Sequence, residues 1–285
     1  MKILDGKKNA HQRRLALKTK IAAHLNSGDR APKLVVIMVG QNSASEVYVK
    51  HKVLACQETG ILSTVLHFQD DISPKQLYEE IQKLNFDSTI DGILLQLPIP
   101  LIFNEEDYLQ AIVPDKDVDG FHYQNQGRML QNYETIAPCT PLGVVNLLQT
   151  YKIPLQGQNI TILGTSNIVG KPLGVMLMNL GATVTFCNKN TRNIQEHTLT
   201  ADVLISGTGQ QFIVTKEMVK PNAVVVDIGI MRDLKTNRLV GDVDYQNVAP
   251  ITSYITPVPG GVGPMTVATL LENTYKLYLK HLQSK

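Results

Sequence analysis

"NITILGTSNIVGKPLGVMLMNLGATVTFCNKN", residues 159–190, runs from an apolar stretch through a glycine-containing turn into a longer apolar segment and ends in a second short apolar run. Residues 159–164 read as a buried strand, those after Ile168 as a helix, and "ATVTFC" (182–187) as a further strand. A second strand that ends about two dozen residues after the first glycine gives the layout of a dinucleotide-binding βαβ unit. The glycines fall as G-x-S-x-x-x-G at Gly164, Ser166 and Gly170, so the G-x-G-x-x-G fingerprint is absent. The physics survives the change: a tight turn opening a helix presents N–H groups to a pyrophosphate, Ser166 adds a hydroxyl, and Gly170 lets backbone approach. The competing reading is an ordinary strand–helix turn capped by Ser166 or Asn167. After the second strand stand Asn188 and Lys189, where an NAD site commonly has an acid for the ribose 2′-hydroxyl. Lys189 or Arg192 can meet a 2′-phosphate, so charge favours NADP over NAD.

The same alternation extends in both directions. Downstream lie "DVLISG" (202–207), "AVVVDIG" (223–229), "SYIT" (253–256) and a helix from about Met265 to Leu282. Upstream, a helix within 8–26 precedes the strands "KLVVIMV" (33–39), "LSTVLHF" (62–68) and "DGILLQL" (91–97), with helices at 44–59 and 74–84 between them. Strands alternating with helices imply parallel sheets with helical crossovers. A loop-rich stretch from Pro114 to Pro141 separates the halves before the helical "GVVNLLQTY" (143–151), which places a boundary near 140 and predicts two α/β domains.

Composition narrows the partners. The 285 residues are 43% hydrophobic and 18% charged, with a net charge of +2, which leaves no basic field for nucleic acid or an anionic membrane. No run of about 18 apolar residues occurs, and "MKILDGKKNAHQRR" holds no apolar signal core, so the cytoplasm is the expected compartment. Cys56, Cys139 and Cys187 stand far apart, without a CxxC pair, and read as buried thiols.

The first half carries the more chemical signal. Projected at roughly 100° per residue, Glu46, Lys50 and Gln57 of the helix 44–59 share one side, and Glu46 and Lys50 form an i, i+4 pair. Lys50 is the solvated lysine. Lys52 lies well round from that side, in line with Ser45, Tyr48 and Cys56, on a face otherwise made of Ala44, Val47, Leu54 and Ala55. It is either a snorkelling side chain or an ammonium desolvated in a cleft and usable as an acid or base. Gln96 falls at the carboxyl end of a buried strand, where open α/β sheets bind ligands. Asp115, Asp117 and Asp119 of "PDKDVDGFH" sit in a turn. Their alternation suggests Ca²⁺, but Lys116 intrudes and no twelfth-position Glu follows, so a metal site is rejected. "TPVPGGVGPMT" (256–266) predicts a rigid loop admitting a flat ligand close to its backbone.

Taken together, "SEVYVKHK", "ACQETGI", "DGILLQLPIP", "DKDVDGFH", "PCTPLGVV", "GTSNIVGKPLG", "VVVDIGI", "GDVD" and "TPVPGGVGPMTVATLLENT" resemble, in order and over nearly the whole chain, the bifunctional methylenetetrahydrofolate dehydrogenase/methenyltetrahydrofolate cyclohydrolase family. The resemblance implies a folate-binding catalytic domain over 1–139, joined by the C-terminal helix 265–285, a Rossmann-like NAD(P) domain over 140–264, and a folate cleft between them. It implies an oxidoreductase and hydrolase of one-carbon metabolism and purine biosynthesis. Such an enzyme oxidises 5,10-methylene-tetrahydrofolate with NADP⁺ and hydrolyses the methenyl product to 10-formyl-tetrahydrofolate, as a homodimer and without metal. Lys52 then becomes the proton-transfer residue, Tyr48 the ring stacking on the folate, Gln96 the partner adjusting the lysine's protonation and Asp119 the pterin anchor. Ser45, Leu97, Pro98, Pro259, Gly260, Gly261 and Val262 border the folate. Gly164, Thr165, Ser166, Ile168, Val169, Asn188, Lys189, Gly207, Ile230 and Thr266 form the dinucleotide site. Members typically read G-R-S where this chain has Gly164-Thr165-Ser166, and a His-Ser pair is common in place of Asn188-Lys189. The missing arginine is the expected 2′-phosphate grip, for which Lys189, Lys171 or Arg192 stand nearby; NADP is expected, with NAD or dual use, or a monofunctional member, as the alternatives. Tyr48-x-x-x-Lys52 also mimics a short-chain dehydrogenase, but there the nucleotide turn precedes the Tyr/Lys helix, and here it follows. A silent binding protein of the same fold would not need Tyr48, Lys52, Gln96 and Asp119 together.

Overall fold

A computed structural model describes residues 1–233 and 236–283, apart from the side chains of residues 43 and 44; positions 284 and 285 of the expected final helix lie outside the described residues. In chain order the strands are β1 Lys2–Ile3, β2 Lys33–Val39, β3 Leu62–Phe68, β4 Gly92–Leu95, β5 Asn159–Leu163, β6 Thr183–Cys187, β7 Val203–Ser206, β8 Val224–Asp227, β9 Met231–Arg232, β10 Leu239–Val240 and β11 Tyr254–Ile255. The α-helices are α1 Gly6–Asn26, α2 Ser43–Thr59, α3 Pro74–Phe86, α4 Glu105–Ala111, α5 Tyr123–Leu130, α6 Cys139–Thr150, α7 Gly170–Asn179, α8 Ile194–Thr198, α9 Tyr245–Val248 and α10 Val262–Gln283. The chain divides into two compact units, one of residues 11–139 and 267–285, the other of residues 1–10 and 140–266.

The first unit is built on a parallel sheet of order β3-β2-β4. Successive side chains of β2 point to opposite faces. Leu34, Val36 and Met38 pack with Leu17, Ile21, Cys56, Leu270 and Leu271, whereas Val35, Ile37 and Val39 pack with Leu77, Ile81 and Tyr108. A strand buried on both faces reads as a continuous apolar run, which is why "KLVVIMV" lacks polar alternation. Helix α2 begins at the Asn42 cap, whose side chain accepts from the Ser45 N–H at 3.0 Å, and ends at Gly60 in the left-handed region. The stretch expected to be loop contains α5. Its sequence, "YQNQGRML", is too polar to show a helical stripe, and the helix is held through buried Asn125, which donates to the Pro114 carbonyl at 3.1 Å.

The second unit carries a six-stranded parallel sheet of order β1-β11-β8-β7-β5-β6 and a two-stranded β10-β9 ladder. Residues 1–10, expected with the first domain, belong to this unit because β1 pairs with β11 through Lys2–Tyr254 and Ile3–Ile255. In both sheets consecutive strands leave on opposite sides of the first: β2 lies between β3 and β4, and β5 between β6 and β7. Each sheet therefore has a topological switch point, where a crevice opens beyond the carboxyl ends of the strands. Among the described residues, no helix is long and apolar enough to cross a membrane.

Candidate active site

Lys52 and Gln96 meet at the first switch point. Gln96 follows β4, and its backbone N–H still pairs with the Ile37 carbonyl of β2 at 2.8 Å, which fixes where the side chain leaves the sheet. Lys52 Nζ donates to Gln96 Oε1 at 2.9 Å, and Gln96 Nε2 donates to the Leu97 carbonyl at 2.6 Å. The same carbonyl accepts from Ser45 Oγ at 3.4 Å, so Ser45, Lys52, Gln96 and Leu97 form one hydrogen-bonded group. Pro98 follows across a cis peptide and is exposed. Tyr48 is half-buried one turn before Lys52, and desolvation raises its phenol above the usual range.

Helix α2 turns a different face inward from the one projected. Val47 and Leu54 are exposed, at 53% and 52%, whereas Ser45, Val49, Ala55 and Cys56 are buried. Lys52 lies at the margin of this buried stripe, and Lys50 is exposed beside Glu46, as the projection requires. The correction follows from tertiary packing: the sheet and α10 claim the i, i+4, i+11 line through Ser45, Val49 and Cys56, not the line with most carbon. Burial pushes the Cys56 thiol up to about 12 against the pull of a Ser63 hydrogen bond and the Lys52 charge.

The three aspartates of the turn take separate roles. Asp115 pairs with Lys280 at 2.6 Å. Asp117 is buried and accepts from the N–H groups of Gly120 at 2.9 Å and His122 at 2.8 Å, and from Asn125 Nδ2 at 3.0 Å, which shapes the turn. Only Asp119 faces Lys52: desolvation raises its carboxyl, while the Lys52 charge and the Cys139 thiol draw it back down. Lys116 instead is buried and donates to the Leu84 and Asp87 carbonyls at 2.7 and 2.6 Å, closing the end of α3. Among the described residues, no group of three or more His, Cys, Asp or Glu is arranged to hold a metal.

At the second switch point, Gly164 follows β5 at φ +101 and Gly207 follows β7, each anchored to the neighbouring strand by its N–H. A Cβ on Gly164 would collide with the Gly207 carbonyl, and one on Gly170 with that of Gly164. Ser166 Oγ accepts from the N–H groups of Val169 at 3.2 Å and Gly170 at 3.4 Å, but the cap position of α7 is Val169, so neither Ser166 nor Asn167 is the cap residue; the Ser166 hydrogen is left to donate. The N–H groups of Thr165, Ser166 and Asn167 meet no acceptor among the described residues. A turn with unsatisfied donors and no room for side chains fits a pyrophosphate. Lys171 is tied to Asn167 Oδ1 at 2.7 Å, while Asn188, Lys189 and Arg192 are exposed beyond β6. Ile168 and Ile230 are also exposed, and Val169 is half-buried. In the loop before α10, Pro259 follows a cis peptide, Gly260 has φ +107, Gly261 and Val262 are buried, and Thr266 Oγ1 lies 3.0 Å from Thr140 Oγ1.

Residues 4–119 match the family profile described as the catalytic domain of tetrahydrofolate dehydrogenase/cyclohydrolase, and residues 138–282 match its NAD(P)-binding domain. The chain belongs to the tetrahydrofolate dehydrogenase/cyclohydrolase family. It is 61% identical to a bifunctional protein FolD of Mesoplasma florum over 99% of both chains. The structure is similar to the bifunctional FolD dehydrogenase/cyclohydrolase of Campylobacter jejuni, with TM-score 0.96, 45% identity, and 98% of this chain and 99% of that one covered. It is also similar to the Trypanosoma brucei enzyme complexed with NADP and inhibitor, with TM-score 0.94, 31% identity, and 98% and 97% covered. The enzyme is thus a bifunctional member acting on tetrahydrofolate one-carbon derivatives.

Some residues around the family's sites carry no signal in the sequence. Asn273, on α10, donates from Nδ2 to the Val118 and Ala137 carbonyls, each at 2.9 Å, and reaches Cys139 Sγ at 3.6 Å, tying the residue before Asp119 to the start of α6. An asparagine within an apolar helical stripe is the only hint. Cys56, Cys139 and Cys187 are buried free thiols, and Cys139 Sγ donates to the Val118 carbonyl at 3.3 Å, next to Asp119.

Proposed function

We propose that Lys52, Tyr48, Gln96 and Asp119 handle the folate, and that Gly164, Thr165, Ser166, Ile168, Val169, Asn188, Lys189, Gly207, Ile230 and Thr266 serve the dinucleotide. The enzyme then oxidises 5,10-methylene-tetrahydrofolate to the methenyl form with NADP⁺ and hydrolyses that to 10-formyl-tetrahydrofolate. The observation that carries the reading is the 2.9 Å bond from Lys52 Nζ to Gln96 Oε1 at the carboxyl end of β4, within electrostatic reach of Asp119.

In the oxidation, hydride leaves the methylene carbon and the two flanking nitrogens share the resulting positive charge. The nicotinamide, when bound, supplies the hydride acceptor. The protein's part is positioning, with Tyr48 stacked on the folate and Asp119 accepting hydrogen bonds from the pterin. In the hydrolysis, water adds to the methenyl carbon, one ring C–N bond breaks and a proton is released. Lys52 Nζ, bonded to Gln96 Oε1, moves that proton, and Gln96, tied in turn to the Leu97 carbonyl, holds the orientation.

NADP is favoured by the exposed Lys189 and Arg192 beyond β6 and by the Trypanosoma brucei relative solved with NADP. Oxidation of methylene-tetrahydrofolate with NADP⁺ and NAD⁺ in parallel, wild type beside Thr165→Arg, tests the assignment. Preference for NADP⁺, sharpened in the variant, is the expected result; an unchanged ratio would remove Thr165 from the 2′-phosphate contact, and failure to turn over either nucleotide would remove the dehydrogenase. Family resemblance also supports a cytoplasmic homodimer formed through the nucleotide unit, which light scattering of the purified chain checks.

A further inference from the structure

The motifs "VVVDIG" and "GDVD" have no part in the chemistry above, yet they place two carboxylates wholly inside the nucleotide unit. Asp227, at the end of β8, is 3% exposed and Asp242 is fully buried. Asp242 Oδ2 accepts three hydrogen bonds, from Ser206 Oγ at 2.7 Å, the Thr208 N–H at 2.6 Å and Thr208 Oγ1 at 2.9 Å. Asp227 accepts from the N–H groups of Gly229 at 2.9 Å, Asp242 at 3.0 Å and Val243 at 2.9 Å, while Thr256 Oγ1 accepts from its N–H at 2.7 Å. Asp242 Oδ1 is buried without a hydrogen-bond partner among the described residues, and a Cβ added at Gly229 would collide with it. Burying two carboxylates costs stability, and a structure that needed only to fill this space would use apolar groups. Half of these donors, both groups of Thr208 and the Gly229 N–H, come from the two turns that leave the sheet at β7 and β8.

We infer that Asp242 and Asp227 are positioning residues for the dinucleotide: Asp242 holds the Gly207–Thr208 turn, Asp227 holds the Gly229–Ile230 turn, and the backbone link between the two acids sets one turn against the other. The inference rests on the assignment of Gly207 and Ile230 to the dinucleotide site. The charge-assisted bonds that Asp242 accepts from Thr208 are short and directional, so they fix that turn more closely than apolar packing would.

The test is equilibrium binding of NADPH by fluorescence, with the nucleotide-independent hydrolysis of methenyl-tetrahydrofolate as an internal measure of folding. Asp242→Asn should weaken NADPH binding by about ten-fold or more, the loss of charge-assisted bonds, and leave hydrolysis within about two-fold. Thr208→Val, which removes one donor and leaves the carboxylate otherwise paired, should weaken binding by about two- to five-fold. Unchanged NADPH affinity in Asp242→Asn with hydrolysis intact overturns the inference. Should Asp242→Asn lose hydrolysis as well, Thr208→Val decides by the same criterion. Ile230→Ala separates the two levels: if it too leaves NADPH binding unchanged, the site assignment itself has failed.

Discussion

In one unit the carboxyl end of β4 carries Gln96, hydrogen-bonded to Lys52; in the other the carboxyl end of β5 carries Gly164, which has no side chain. Both positions are switch points of parallel sheets. On the proposed reading the first works through ionisable and amide side chains, each held by a second group. The second would work through backbone N–H groups, which every residue but proline has, so the useful sequence choice there is to leave side chains out. Moving a proton needs an atom that can lose one, whereas holding a pyrophosphate needs donors at close range. The two sites should therefore fail in different ways.

Lys52→Met gives the largest expected effect. Methenyl hydrolysis, followed by loss of absorbance, should fall about 10²- to 10⁴-fold while NADPH affinity is unchanged. Hydrolysis at the wild-type rate would remove Lys52 from the reaction and with it half of the contrast.

The nucleotide unit buries two carboxylates, Asp227 and Asp242, and pH should expose them. Burial, with the Asp242 charge, raises Asp227 to about 7. In the unfolded chain the group ionises near 3.8, so between those values the folded state binds the extra proton, and stability falls as pH rises towards 7. The stability of wild type relative to Asp227→Asn should therefore drop by at most about 4 kcal/mol from pH 4 to pH 7, measured by urea denaturation. A pH-independent difference would mean that Asp227 is ionised throughout.

Asn273→Ala probes the support behind the side-chain site. It leaves the Val118 and Ala137 carbonyls without the donor they share, at a cost of about 2–3 kcal/mol in thermal or urea unfolding, and should reduce hydrolysis more than NADPH binding. Equal losses in both would make the asparagine a general packing residue. Gly164→Ala should do the reverse: a methyl at φ +101 against the Gly207 carbonyl costs about 1–3 kcal/mol locally and weakens NADPH binding about ten-fold, with hydrolysis intact. Retained NADPH affinity would show that the turn does not meet the nucleotide.

Much of this was legible before any coordinates. "KLVVIMV" and "LSTVLHF" coincide with β2 and β3, and Lys52 stood off the polar face of its helix. The inward face of α2 is not legible from the string, because projection counts carbon, and Val47 and Leu54 are carbon-rich residues that face solvent. Helix α5 was missed because its hold is a buried asparagine rather than an apolar stripe. The roles of Asp115, Asp117 and Asp119 were indistinguishable in the string, since three like residues in one turn differ only in what other segments bring to them.

The sequence by itself determined the alternation of strands and helices, the glycine turn after β5 and the misplaced polarity of Lys52, since periodicity and backbone freedom are local properties. The tertiary structure alone decided the strand order that makes two switch points, the attachment of residues 1–10 to the six-stranded sheet, and the burial of Asp227 and Asp242 beneath their turns. Those depend on hydrogen bonds and desolvation between residues far apart in the chain, which no local pattern encodes.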